Sequence, residues 1–225
     1  DGTAILIDAG LSQRQVKKAL KEKNLSLSHV KGIFVTHDHA DHIKGVPGLA
    51  NENMIPVYAT AEVHAGIRKS YCTTHEIDAS LVRKLEKGEE LQLGEFCVHS
   101  FEVPHDGTDN VGYHIAVGGL HFCMITDVGH ITQEVAEHIR LANYLVLEAN
   151  YDDTMLEMGP YPRYLKDRIT SGHGHLSNAA CADALLNFAT PELKHVWLCH
   201  LSEENKHPEL ARKTVESKLR SGGIA

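Results

Sequence analysis

The segment Thr36-His37-Asp38-His39-Ala40-Asp41-His42 places three imidazoles and two carboxylates within six residues. Neutral imidazole and carboxylate are the side chains that hold zinc, manganese or iron. His37, His39, Asp41 and His42 stand at i, i+2, i+4 and i+5. No single regular element turns all four to one side, because a helix sends His39 to the far face and a strand turns His42 away. The spacing predicts a strand that ends at His37, a bend, and a helix that starts near Asp41. The side chains then splay from a loop around metal ions. The bland alternative is a polar loop with incidental histidines.

The elements that must position this loop can be read on either side of it. Gly32-Ile33-Phe34-Val35 is an apolar run suited to a buried strand. Upstream, Ala4 to Gly10 predicts a strand that ends at Asp8 and turns at Gly10. Ser12 then caps a helix to about Lys23, with Val16 and Leu20 on one face. After Gly45-Val46-Pro47-Gly48, a strand is expected at Pro56–Ala59. A helix follows at Thr60–Lys69 and a short helix at Asp78–Val82. Phe96 to Phe101 alternates as a strand and runs into Val103-Pro104-His105-Asp106. Asn110–Val117 and Leu120–Ile125 form a hairpin across Gly118-Gly119, and the second strand stops at Thr126-Asp127. A helix at Thr132–Leu141 precedes the strand Tyr144–Glu148. Ser177 caps a helix through Phe188, the last strand ends at His200, and Pro208 opens a closing helix.

His-x-His-x-Asp-His after a hydrophobic strand resembles the metallo-β-lactamase superfamily of binuclear metallohydrolases. The resemblance implies an α/β fold: an αββα sandwich of two mixed β-sheets with helices on the outer faces, as one domain over 1–225 that lacks some residues at both ends. It implies two divalent ions (zinc or manganese, with iron as a further candidate). His37, His39 and His105 surround one, Asp41, His42 and His200 the other, and Asp127 bridges. Asp8 in Ile7-Asp8-Ala9-Gly10 corresponds to a carboxylate that supports the metal loop. His130 is expected to be exposed or supporting rather than a ligand. Two ions some 3.5–4 Å apart, in the general case, bring the pKa of a shared water to about 7. That gives a bridged hydroxide able to attack phosphorus or a carbonyl. The antibiotic-hydrolysing members carry Cys where this chain has Asp127, which argues against that activity.

More narrowly, the chain resembles the WalJ/YycJ group of bacterial proteins. The likeness rests on Ile7-Asp8-Ala9-Gly10-Leu11-Ser12, the His37–His42 loop, Glu148-Ala149-Asn150-Tyr151-Asp152, Pro160-Tyr161-Pro162 and Gly174-His175-Leu176-Ser177-Asn178. It implies a DNA exonuclease, with RNA or a small phosphodiester as the other phosphodiester substrates. Tyr151 departs from that group, where His is expected. In this reading Asp41 orients the nucleophile and His175 protonates the leaving oxygen. Arg163 and Lys166 hold flanking phosphates, and His173 lies beside the substrate. Two further readings remain open: a small-acyl thioesterase or lactonase of the same fold, and a noncatalytic metal-binding regulatory module.

Composition bounds these readings without choosing among them. At 225 residues with 23 % charged side chains, the chain suits a globular enzyme. A net charge of −8 argues against a dedicated nucleic-acid scaffold, though not against a nuclease whose ions add positive charge where substrate docks. No apolar run approaches bilayer length and no signal peptide is visible, so no membrane partner is expected. Five scattered cysteines without CxxC spacing predict reduced thiols and a cytoplasmic location.

Overall fold

In the computed structural model, residues 2–73, 75–202 and 207–223 are described. Asp1, Thr74, residues 203–206, Ile224 and Ala225, which the expected single domain included, lie outside them. The chain forms two compact units, Asp1–Glu89 with Gly107–Val111, and Glu90–Asp106 with Gly112–Ala225.

The first unit runs β1 (Ala4–Ile7), α1 (Gln13–Glu22), β2 (Val30–Phe34), α2 (Ala40–Ile43), α3 (Val46–Asn53), β3 (Val57–Ala59), α4 (Ala61–Lys69) and β4 (Val82–Lys84). Its sheet has the order β1-β2-β3-β4, and each neighbouring pair is parallel. The expectation of mixed pairing therefore does not describe this sheet. Successive strands are joined by helical crossovers, which return the chain in the same direction. Ile33, Val35, Ile43, Leu49, Val57 and Val63 are fully buried among these elements. Burial of each such side chain contributes roughly 1.5–3 kcal/mol. α1 begins where expected: Ser12 Oγ accepts from the Gln15 N–H at 3.4 Å, and Gln15 Oε1 accepts from the Ser12 N–H at 3.1 Å. That reciprocal pair satisfies two donors a helix start leaves open.

The second unit runs β5 (Glu90–Leu93), β6 (Phe96–Glu102), β7 (Val111–Val117), β8 (Leu120–Ile125), α5 (Gln133–Leu141), β9 (Tyr144–Glu148), α6 (Asp153–Met158), α7 (Arg163–Ile169), α8 (Asn178–Phe188), β10 (His195–Cys199) and α9 (Pro208–Ser221). Its sheet order is β10-β9-β8-β7-β6-β5. Here pairing is mixed, with β8, β9 and β10 parallel and β7–β8 an antiparallel hairpin. Gly118 and Gly119 make the turn with φ of +57° and +76°, a pair of left-handed positions that glycine adopts without strain. The core gathers Ile125, Ile139, Leu145, Leu147 and Leu185.

Three elements differ from the sequence reading. The sequence reading assigned no element where α3 stands; its first turn is Val46-Pro47-Gly48, with proline at the helix start, where its missing N–H is harmless. β4 and α6 were not foreseen. All five cysteines are free thiols. Among the described residues, no helix is long and apolar enough to cross a membrane.

Candidate metal centre

The residues that carry donors sit where strands stop. In the first unit β2 ends at Phe34, and the chain passes through Val35 and Thr36 into the donor loop. His39 precedes α2, so the expected bend and helix are both present. One carboxylate organises the loop. Asp8 Oδ1 accepts the Thr36 N–H and Oδ2 accepts the Thr36 hydroxyl, each at 2.8 Å. Asp8 Oδ2 also lies 2.8 Å from His42 Nδ1. A carboxylate can only accept, so His42 donates from Nδ1, and its Nε2 keeps the lone pair for a metal. The His37 ring lies 4.1 Å from that of His42 and 4.6 Å from that of His39, centroid to centroid. Asp41 is exposed at the start of α2. Asp38 faces elsewhere: its carboxylate accepts the Thr108 N–H at 3.1 Å and the Thr108 hydroxyl at 2.5 Å. Gly10 is needed for closeness, since a Cβ there would stand 1.5 Å from the Asp41 carbonyl oxygen.

In the second unit His105 follows β6, Asp127 follows β8 and His200 follows β10. His105 donates from Nδ1 to the Gly174 carbonyl at 2.8 Å. Burial lowers its pKa, against the opposing pull of Asp127 and that carbonyl, so it stands as neutral imidazole. Asp127 is 2 % exposed, with Oδ2 accepting from the Thr126 hydroxyl at 2.7 Å. Its Oδ1 lies 3.3 Å from His200 Nε2 and 3.6 Å from His105 Nε2.

The residue that joins this half together is Glu148, the fully buried end of β9. Its Oε1 accepts from His175 Nδ1 and His200 Nδ1, both at 2.8 Å, and Oε2 accepts the Val128 N–H at 2.7 Å and the Leu176 N–H at 3.2 Å. Asp127, Glu148, His175 and His200 can each offer a ligand atom within 4.8 Å of the others. Glu148 spends its oxygens on these donors, so it acts as the clamp that turns Nε2 of His175 and His200 outward. Sequence reasoning missed this role. The only signal was a carboxylate closing an otherwise apolar strand.

Backbone geometry marks the same places. Asp8, Asp127 and His200 have φ of +57°, +53° and +54°, the left-handed region that side chains other than glycine rarely adopt. Each is the residue at which a strand turns its donor out of the pleat, and such outliers gather at functional sites.

The remaining candidates are placed as follows. His173 is exposed, and its ring lies 6.4 Å from that of His130. His130 is itself exposed, with Nδ1 2.7 Å from the Gly172 carbonyl oxygen. On α7, Arg163 pairs with Asp167 at 2.9 Å and Lys166 Nζ donates to the Glu157 carbonyl at 2.5 Å. Both line a cavity of about 240 Å³ with Tyr151, Asp153 and Glu157. Burial, with Asp153 and Glu148 adding to it, pushes the Tyr151 phenol up to about 12, so it stays protonated at neutral pH. Arg168 pairs instead with Asp106, at 2.5 Å.

Strands followed by His and Asp donors, with Nδ1 atoms of His42, His105 and His200 tied to acceptors, fit divalent metal ions. Two sheets with these strand orders, each joined by helices, are the elements of the metallo-β-lactamase fold. It is shared with the solved structure of the metallo-β-lactamase fold protein YhfI from Bacillus subtilis (TM-score 0.70, 17 % identity, 96 % of this chain and 80 % of that one). Residues 3–200 match the family described as the beta-lactamase superfamily domain, and the chain belongs to that superfamily. Within it, the chain is 35 % identical to Exodeoxyribonuclease YycJ of Bacillus anthracis, over all of this chain and 84 % of that protein. It is 33 % identical to Exodeoxyribonuclease WalJ of Streptococcus pneumoniae, over 96 % of this chain and 80 % of that one.

Proposed function

We propose that this chain is a binuclear metal-dependent phosphodiesterase, a DNA exonuclease of the cytoplasm. The observation that carries the reading is similarity along essentially the whole chain to two exodeoxyribonucleases, in a chain whose strand-end imidazoles are each held at Nδ1. In this reading His37, His39, His105, Asp41, His42, His200 and Asp127 would hold the ions. Zinc, manganese and iron all suit imidazole and carboxylate donors. Divalent ions bound there supply Lewis acidity toward the phosphodiester and acidify water.

The chain's own groups do the rest. Asp41, exposed beside the donor loop, orients the attacking water. His175, with Nδ1 held by Glu148, gives the proton on Nε2 to the leaving oxygen and takes one back in the next turnover. Arg163 and Lys166 hold flanking phosphates in this reading, which requires a phosphate to displace Asp167 and the Glu157 carbonyl from them. His173, exposed in the same loop as His175, contacts the substrate beyond the scissile bond.

The test is digestion of a 5′-phosphorylated, end-labelled DNA duplex with Mn²⁺, beside an Asp127→Ala control. The expected result is stepwise shortening by the wild type alone, with the order of fragments giving polarity. An uncut duplex, with metal bound, moves the activity to small phosphodiester or thioester substrates.

A further inference from the structure

Residues 13–31 contain six cations, Arg14, Lys17, Lys18, Lys21, Lys23 and Lys31, against the single acid Glu22, in a chain whose net charge is −8. Four of them lie on α1 at i, i+3, i+4 and i+7, which gathers Arg14, Lys17, Lys18 and Lys21 onto one face about 100° wide. All four are exposed. Among the described residues, none of the six forms a salt bridge. α9 shows the contrast: its Arg212, Lys213, Lys218 and Arg220 are paired with Glu216, Glu209, Asp183 and Glu216. Like charges at these spacings weaken a helix on its own, and α1 has no acid in its first turn to offset them. Lys17 and Lys21 also line a cleft of about 450 Å³ with Leu25, Ser26, Leu27, Ser28 and Asn53.

A basic helix of this kind meets either a nucleic-acid backbone or an anionic bilayer. A bilayer needs the apolar face of the helix. Here Val16 and Leu20 are packed against the core of the first unit. We infer that the Arg14–Lys17–Lys18–Lys21 face of α1, with the adjoining cleft, binds the phosphate backbone of duplex DNA without regard to sequence. The inference rests on the nuclease reading and adds where the duplex lies. The face spans about 10 Å along the helix, enough for about three phosphates of one strand at about 3.4 Å each. Arg14 follows Asp8 by six residues, so the chain itself keeps it within about 22 Å of the donor loop's carboxylate. A duplex end at the donors therefore reaches α1 within about six base pairs.

The experiment compares metal-loaded wild type with the K17Q/K18Q/K21Q variant. Glutamine keeps helix propensity, and a K17R/K18R/K21R variant serves as the charge-preserving partner. Binding to a phosphorothioate-linked 30-base-pair duplex is followed by fluorescence anisotropy across a KCl series. The glutamine variant should lose about two to three units from the slope of log K against log salt, at about 0.9 per phosphate. It should bind at least tenfold more weakly at low salt. The arginine variant should match wild type. On a cleavable 30-base-pair duplex KM should rise with kcat unchanged, and a four-base-pair substrate should show no change. Equal slopes for wild type and the glutamine variant overturn the inference. So does a variant that loses binding to phosphatidylglycerol vesicles while keeping its DNA affinity. If the wild type cuts DNA and the slopes are equal, only the docking face fails. If it binds DNA with the expected slope change but cuts none, only the nuclease reading fails.

Discussion

Glu148 is a buried carboxylate surrounded by donors, and its removal acts on two levels. Substitution by alanine leaves the Val128 and Leu176 N–H groups and two imidazole Nδ1 atoms without their acceptor. Breaking such a buried charged network costs about 3–5 kcal/mol. Glu148→Gln is the more informative change. It keeps the volume but presents an amide that cannot accept from both imidazoles and both amides at once. Loss of a partner that orients a metal-binding His lowers metal affinity by about 10–100-fold. Isothermal titration of the variant with Mn²⁺ or Zn²⁺ should show that drop, with a lower melting temperature. Unchanged affinity would remove the clamp role from Glu148.

At the scale of elements, the packing of α5 on its sheet carries a pH dependence. His138 of α5 stacks on Phe101 at 3.8 Å, and its Nδ1 lies 3.2 Å from Nδ1 of His114 on β7. His114 Nε2 in turn meets His121 Nδ1 on β8 at 2.8 Å, and the His99 ring on β6 lies 5.3 Å from that of His138. Burial first, then the neighbouring histidines, lowers His114 and His138 to about 4. A histidine depressed in the folded state binds fewer protons than in the unfolded chain over the interval between its two pKa values. Its contribution to stability is therefore complete above about 6.5 and is lost as pH falls toward 4. Melting curves should shift downward over that interval, and His138→Gln should flatten the shift. A melting temperature independent of pH between 7 and 4.5 would count against it.

How much of this was readable in advance differs by element. The donor loop, the strand ends at His105, Asp127 and His200, and the helices capped by Ser12, Thr60, Thr132 and Ser177 were legible, because caps and apolar runs are local signals. α3 was not, since its buried Val46, Pro47, Leu49 and Ala50 come first and its polar Asn51, Glu52 and Asn53 come together at the end, which gives no helical period. The clamp by Glu148 was hidden for another reason. The amides and imidazoles it clamps lie 20 to 52 residues away, and locally only its place at the end of an apolar strand marks it. Asp8 was legible only through its family-like context, although it proved to hold both Thr36 and His42.

For the molecule as a whole, metal and stability should be linked. Ions that bind the folded donor loops and not the unfolded chain stabilise by mass action, about 2.7 kcal/mol at a hundredfold excess over Kd. Chelation followed by calorimetry should lower the melting temperature, with recovery on adding Mn²⁺ or Zn²⁺. A melting curve indifferent to chelation, in protein shown to have held metal, would sever that link. The uneven distribution of charge has a further consequence, one of rate rather than affinity. A body with net charge −8 repels DNA at a distance, whereas the α1 stripe attracts it. Encounters are then biased toward one orientation before any contact forms, and screening within about 10 Å at 0.1 M salt weakens that bias. If DNA docks on α1, the acidic remainder of the chain would do what added basic surface could not: discourage unproductive landings.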